Sequence, residues 1–479
     1  MILETTLKLL FWLGDPVLRR YYARSWPIEG TYEHKGPGET LYWCLKRCGR
    51  SVELPEAGQG IEERFRPLPA KLEDGHAHFE APEQPAGVIV TSRARVTCVG
   101  DLVPSKAVNQ ADIAHLLDDT APEFARADLV CANLESPVAP ARPVSDLPPK
   151  TWRKPLHLNH DPAFAGKLLG GPLRLVSLAN NHTLDQGIDG LIATMDFLDE
   201  RGCAYVGVAR SPRDQARPQI TELAGIRVAH IAWTFSLSNK QRPPGGEYFV
   251  NYLRLNQRAV DLTPLTAQVR AARAAGAEIV VAHLHWGLEY EAYPNQALID
   301  NAHRVIEAGV DVIVGNHPHH VQPWEWHSYI PAADADRPGP GTRSTPAQPA
   351  GLPADADQPG PATRSSQAQR TGLIIYALGD FASFQRGLAP ANYLAGLAGI
   401  DLAKGRDAAG GECAWVAGLQ VTPLAPFARF RGRRCREFRM LDLTRLAANG
   451  FNSALHGWGG RHRRLARTLW DSAARARLR

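Results

Sequence analysis

Apolar residues come in short runs from Arg95 onward, and each run ends in a polar loop. Arg95-Val96-Thr97-Cys98-Val99-Gly100-Asp101 reads as a buried strand that opens into such a loop. Residues 128–133, 173–179, 227–233, 278–285, 310–314 and 373–378 continue the series. Between several of them lie amphipathic stretches of helical length, at residues 190–202, 262–275 and 296–309. Strand and helix alternate, which predicts an α/β layered domain. Residues 1–90 break the pattern, mixing aromatic, charged and Pro/Gly-rich stretches into an N-terminal extension with no readable role.

A second break falls at residues 332–370. Ala333-Asp334-Ala335-Asp336-Arg337-Pro338-Gly339-Pro340 recurs as Ala354-Asp355-Ala356-Asp357-Gln358-Pro359-Gly360-Pro361. This duplication offers too little apolar surface to offset its ordering entropy, and two copies without a core face do not make a solenoid. It predicts a disordered insertion inside a domain running from 91 to 445, followed by a basic tail at 446–479.

Composition narrows the class without naming it. With 479 residues, 44% of them hydrophobic, the chain can bury one large domain. The 54 basic residues exceed the 49 acidic ones by too little to mark nucleic acid as the partner, whereas an acidic or phosphorylated substrate is compatible with them. The seven cysteines show no Cys-x-x-Cys spacing, and Cys98, Cys131 and Cys203 sit within or beside apolar runs, as buried free thiols do. The apolar run Leu9-Leu10-Phe11-Trp12-Leu13 stops at Gly14-Asp15-Pro16, too short for a signal peptide core or a membrane span. A soluble cytoplasmic protein with no integral membrane segment is the expectation.

The candidate chemistry gathers where the predicted strands end, which is where side chains from several strands converge in layered α/β domains. Asp101 follows the first strand, Glu135 the second, and Asn180-Asn181-His182 the third, with Asp185 just beyond. His283 and His285 end a later strand, and His317 and His319 follow the next. Residues i and i+2 of an extended chain face the same way, so each His-x-His pair can chelate. Taken singly, Gly100-Asp101 is a common turn, the two asparagines are equally good turn formers, and His283 reads as a hydrogen-bonded core histidine. As a set, carboxylate, amide and imidazole donors without cysteine suit Mn²⁺, Fe²⁺ or Zn²⁺ in an open hydrolytic site.

Gly100-Asp101, Asn133-Leu134-Glu135, Ala179-Asn180-Asn181-His182-x-x-Asp185-x-Gly187, His285-Trp286-Gly287-x-Glu289-Tyr290, Gly315-x-His317-Pro318-His319 and Tyr376-Ala377-Leu378-Gly379-Asp380-Phe381 together resemble the CapA family, associated with poly-γ-glutamate capsule synthesis. That family resembles calcineurin-like phosphoesterases, which implies a four-layer αββα sandwich, two β-sheets flanked by helices, holding one or two divalent ions. The resemblance makes Asp101 a ligand of one ion and Glu135 a bridge between two. Asn181, His285 and His317 then hold the second ion, and His319 returns to the first. His182 becomes the general acid, oriented by Asp185. It also brings in the polymer-synthesis proteins with which such a chain would work.

This sequence departs from the pattern at three places. Generic phosphoesterases carry a histidine two residues after the first aspartate, where Val103 stands here, which leaves the first ion short of a ligand. The family's usual Gly-Asn-Phe is Gly379-Asp380-Phe381, which brings an extra carboxylate. The membrane anchor of many relatives has no counterpart in the apolar pattern. The arginines at 431–439 and 461–479 read as solvated helix faces. The functional expectation is a metal-dependent hydrolase of a phosphate ester or of an amide or ester of a carboxylated substrate. Its rivals are a non-catalytic polymer-binding subunit and a ligase-like enzyme, and the last lacks a Gly-x-x-x-x-Gly-Lys loop to cradle ATP.

Overall fold

A computed structural model describes residues 43, 46–47, 58–65, 71–73, 76–105, 108, 113–145, 157–238, 240–330, 369–384, 388, 390–432 and 434–448. The duplicated insertion, except for its last residues, and most of the basic tail lie outside the described residues, as does most of the N-terminal stretch.

Among the described residues, fifteen strands form two sheets. In chain order they are β1 (Lys71–Glu73), β2 (His76–Glu80), β3 (Ile89–Leu102), β4 (Leu129–Leu134), β5 (Leu175–Ser177), β6 (Ala204–Val206), β7 (Gln219–Leu223) and β8 (Ile226–Thr234). There follow β9 (Ile279–His285), β10 (Val312–Asn316), β11 (Trp324–Tyr329), β12 (Arg370–Ile375), β13 (Ala395–Arg406), β14 (Glu412–Arg431) and β15 (Arg434–Asp442). The larger sheet runs β1-β2-β14-β13-β3-β4-β5-β6, with β15 added beside β14. The smaller runs β11-β12-β10-β9-β8-β7. Each has a parallel centre, β3 to β6 in one and β12-β10-β9-β8 in the other, with antiparallel strands outside it.

Parallel strands buried on both faces explain the continuous apolar runs. Val96, Leu129, Leu175, Val228, Val281, Val312 and Ile375 share one core cluster between the sheets. The outer faces are covered by helices. Helix α1 (Gly187–Asp199) packs Leu191, Met195 and Leu198 on the larger sheet. Helices α2 (Thr263–Ala274) and α3 (Gln296–Glu307) pack Leu265, Val269, Leu298 and Val305 on the smaller one. Helix α3 begins where the Asn295 side chain accepts a hydrogen bond from the Leu298 amide at 2.9 Å, an N-cap that fixes its start. The result is the expected αββα sandwich.

Two features differ from the sequence reading. Strands β13 and β14 come from residues whose apolar positions are interrupted by Gly396, Gly399, Pro423 and Pro426, and charged residues separate those of β15, so no continuous run marks them. Arg431, Arg434, Arg436 and Arg439 therefore lie on β14 and β15 rather than on a helix, because Phe438 and Met440 alternate inward at the two-residue period of a strand. Strands β1 and β2 lie within the stretch read as an extension, and β2 pairs with β14 in the larger sheet.

The two sheets meet at one end through backbone. The Asp101 amide donates to Gly379 O at 2.9 Å, and the Phe381 amide donates to Asp101 O at 2.8 Å. A Cβ on Gly100 would lie 1.8 Å from Gly379 O, so only glycine permits this approach. Gly100→Ala should cost about 1–3 kcal/mol of stability, read as a lower denaturant midpoint at unchanged slope. A midpoint equal to wild type would show that the seam is not tight.

Candidate metal centre

Every donor anticipated in the sequence reaches this end of the sandwich. Asp101 closes β3 and is fully buried, with Oδ1 accepting from Asn133 Nδ2 at 2.7 Å and Oδ2 from the His317 amide at 2.9 Å. Glu135 follows β4, and its Oε1 lies 3.4 Å from His285 Nε2 and 3.8 Å from His319 Nε2. Asn181 Oδ1 sits 2.9 Å from His285 Nε2. Ligand atoms of Glu135, His285 and His317 lie within 4.8 Å of one another, as do those of Glu289, His317 and His319 and those of Asp101, His319 and Asp380. The groups share His317 and His319, so they form one continuous donor chain.

The second histidine pair is built differently from the expectation. His317 and His319 are not extended, for both have positive φ, 97° and 50°. A left-handed turn after β10, rather than strand alternation, brings their rings to 6.0 Å. Non-glycine residues in that region are strained, and such strain clusters at functional sites. His283 and His285 do alternate along β9, but His283 hydrogen-bonds His230 deeper in the sandwich at 3.2 Å, the core role expected of it.

His182 and Asp185 occupy the turn before α1. His182 Nδ1 and Asp185 Oδ2 are 2.7 Å apart, and Asp185 also accepts from Lys240 Nζ at 2.7 Å and from the Leu158 amide at 2.8 Å. Lys240 carries no motif and stands apart from the donors in sequence, so it was not among the anticipated residues. Glu289, quoted within the His285 motif but given no role there, also joins the donors, and the contact of Trp43 Nε1 with its carboxylate brings part of the N-terminal stretch to the rim. Asp380, which the sequence marked only as a departure, holds His319 Nδ1 at 2.7 Å.

Burial governs the electrostatics. It lifts the Asp101 carboxyl to about 6, and it lifts Glu135 well above the carboxylate range, aided by Asp101, Asp380 and Glu289. Burial also lowers His317 to about 3 and His285 well below an ordinary imidazole. For His319 the burial cost is outweighed by Glu135, Asp380 and Asp101, which hold it well above the usual value. For Asp185, His182 and Lys240 outweigh burial and keep the carboxylate ionised. Neither Glu135 oxygen accepts a hydrogen bond. Buried carboxylates are ordinarily paired, and a divalent ion among these oxygen and nitrogen donors supplies the missing partner. The residues fit such an ion.

The sequence description "Bacterial capsule synthesis protein PGA_cap" matches residues 95–385, more than half of the chain. The chain belongs to the PGA_cap family. The PGA_cap chain is 25% identical over 242 residues to the capsule biosynthesis protein CapA of Bacillus anthracis, covering 48% of this chain and 55% of that protein. It is 26% identical over 242 residues to the PGA biosynthesis protein CapA of Bacillus subtilis (strain 168), covering 47% and 58%. A "Probable polyglutamine synthesis accessory protein" of Mycobacterium tuberculosis is 28% identical over 209 residues, covering 41% of this chain and 51% of that one. The chain thus spans little more than half the length of the curated relatives it matches. Among the described residues, no helix is long and apolar enough to cross a membrane.

Protons and metal compete for these donors. Between pH 6 and pH 5 Asp101 takes up a proton that an incoming ion must displace, so its titration should lower affinity for Mn²⁺ about fivefold across that unit. Titration calorimetry at the two pH values checks this, and unchanged affinity would remove Asp101 from the ligand set.

Proposed function

We propose that this PGA_cap protein is a metal-dependent hydrolase acting on a phosphate ester, or on an amide or ester of a carboxylated substrate, in capsule or related polyglutamate metabolism. The observation that carries the reading is Glu135, a fully buried carboxylate with no hydrogen bond to either oxygen among the described residues, set amid the donors Asp101, Asp380, His285, His317 and His319. Asp101, His319 and Asp380 would hold one ion, Asn181, His285 and His317 the other, with Glu135 between them. Asp380 would then supply the ligand that Val103 does not, since Val103 is buried against Leu158. When bound, such ions acidify a coordinated water and neutralise charge developing on a phosphoryl or carbonyl oxygen.

The chain's own residues do the rest. Asp185, kept ionised by His182 and Lys240, binds the Nδ1 side of the His182 imidazole and leaves Nε2 as the nitrogen that can give a proton to a leaving group. Lys46 and Lys240 place positive charge at the rim, each already hydrogen-bonded to a carboxylate, which favours an anionic substrate. Low-dielectric walls formed by Phe235 against His317 and by Tyr290 near His319 strengthen each of these interactions.

Elemental analysis of the purified protein should find Mn, Fe or Zn near stoichiometry. The His317→Ala/His319→Ala variant should lose both the metal and turnover of an aryl phosphate diester, and Asp380→Ala should lose about half the metal. No metal in folded wild type after reconstitution would end the proposal. Metal without turnover on phosphate, amide or ester substrates would favour the polymer-binding subunit instead.

His182→Gln should keep the metal and lower kcat by about 10²–10⁴-fold for substrates with poor leaving groups, with little effect on an activated aryl ester. An equal loss on both would show that His182 is not the proton donor.

A further inference from the structure

One step deeper than the candidate centre, four polar side chains interrupt the apolar layer between the sheets. Cys98 on β3 and Cys131 on β4 are register partners in the larger sheet, and both point into the inter-sheet core. Across from them stand His230 on β8 and His283 on β9 of the smaller sheet. All four are at most 2% exposed, and both cysteines are free thiols. Cys131 is within hydrogen-bonding reach of Cys98. One ligand atom each from Cys131, His230 and His283 lies within 4.8 Å of the others.

As a core hydrogen-bond network the group is incomplete. His230 Nδ1 and His283 Nε2 face each other at 3.2 Å, while His230 Nε2 has no hydrogen-bond partner. Apolar side chains of the same volume would serve the sandwich better, because a partly satisfied buried network costs more than it returns. The nitrogen pair has another use. Metal–nitrogen bonds of about 2.0–2.1 Å in a tetrahedron put the two nitrogens roughly 3.3 Å apart, close to the distance observed. Thiolate and imidazole donors together select zinc-like ions over the hard cations that carboxylates prefer.

We propose that Cys131, His230 and His283, whose ligand atoms already lie together, are joined by Cys98 once its thiol turns from Cys131 toward the ion, and that the four form a second, closed metal site that takes a zinc-class divalent ion in tetrahedral geometry and ties the two sheets together. Two thiolates cancel the two positive charges, so the filled site is neutral and needs no counter-ion in an apolar layer. Binding breaks two S–H bonds and forms two metal–sulfur bonds; the two protons leave to solvent and no electrons are transferred. His230 also lines a cavity of about 320 Å³ walled by Tyr205, Arg210, Asn251 and Gln268, the side from which an ion would approach. The proposal is independent of the hydrolase reading, since the candidate catalytic donors include no sulfur.

Cobalt(II) distinguishes the two sites by their spectra. Titrating the metal-free full chain with Co²⁺ should give an intense thiolate-to-metal charge-transfer band with tetrahedral d–d bands. His317→Ala/His319→Ala should keep both, and Cys131→Ala and His230→Phe should lose them. If those two variants do not fold, the wild-type spectrum still decides: absence of the thiolate band at saturating Co²⁺ overturns the proposal. A band of wild-type intensity in folded Cys131→Ala overturns it as well.

Discussion

The site depends on a backbone seam between the sheets. Asp101 ends β3 of the larger sheet, and the chain leaving β12 of the smaller sheet crosses beside it, exchanging hydrogen bonds through Gly379 and Phe381. The same crossing continues through the Gly379–Ala395 bridge into β13, which returns to pair with β3. Asp101 and Asp380 are thereby fixed side by side in a parallel bridge, one from each side of the seam. Only glycine at 100 lets the backbones come this close. Without the seam, the donors of β3 and β4 would not face those that follow β9 and β10.

Holding these donors out of water has a cost that the protein groups do not cancel. The rise of Asp101 from 3.8 to about 6 corresponds to about 3 kcal/mol against its ionised form. Glu135 and the lowered histidines add to the same imbalance. A cation shared among them would restore the charged carboxylates and use the neutral imidazoles as they stand, so on the proposed reading burial that is unfavourable alone is preorganisation for metal. Lys240 performs the corresponding service for Asp185 outside the donor chain.

Much of this was legible from residue order. Continuous apolar runs marked the parallel strands because both faces of those strands are buried, and polar residues at their carboxyl ends marked the donors. The antiparallel strands β13 to β15 were not legible, because glycine and proline interrupt the apolar positions of β13 and β14 and charged residues separate those of β15. Asp380 stood out only as a departure from a resemblance, Glu289 lay in a quoted motif without a role, and Lys240 carried no local signal. The left-handed geometry of His317 and His319 was hidden too, since His-x-His reads as an extended pair.

By itself the sequence determined the layered α/β class and picked out Asp101, Glu135, Asn181, His285, His317 and His319 as candidate donors, with His182 and Asp185 beside them. These follow from local pattern, because strand period and strand-end chemistry are properties of neighbouring residues. Tertiary structure alone decided which donors share an ion-sized space, that Asp380 meets His319 beside Asp101, and that His283 turns inward to His230 and Cys131. Those choices rest on contacts between strands far apart in the chain, where the seam at Gly100 and Gly379 sets the distances.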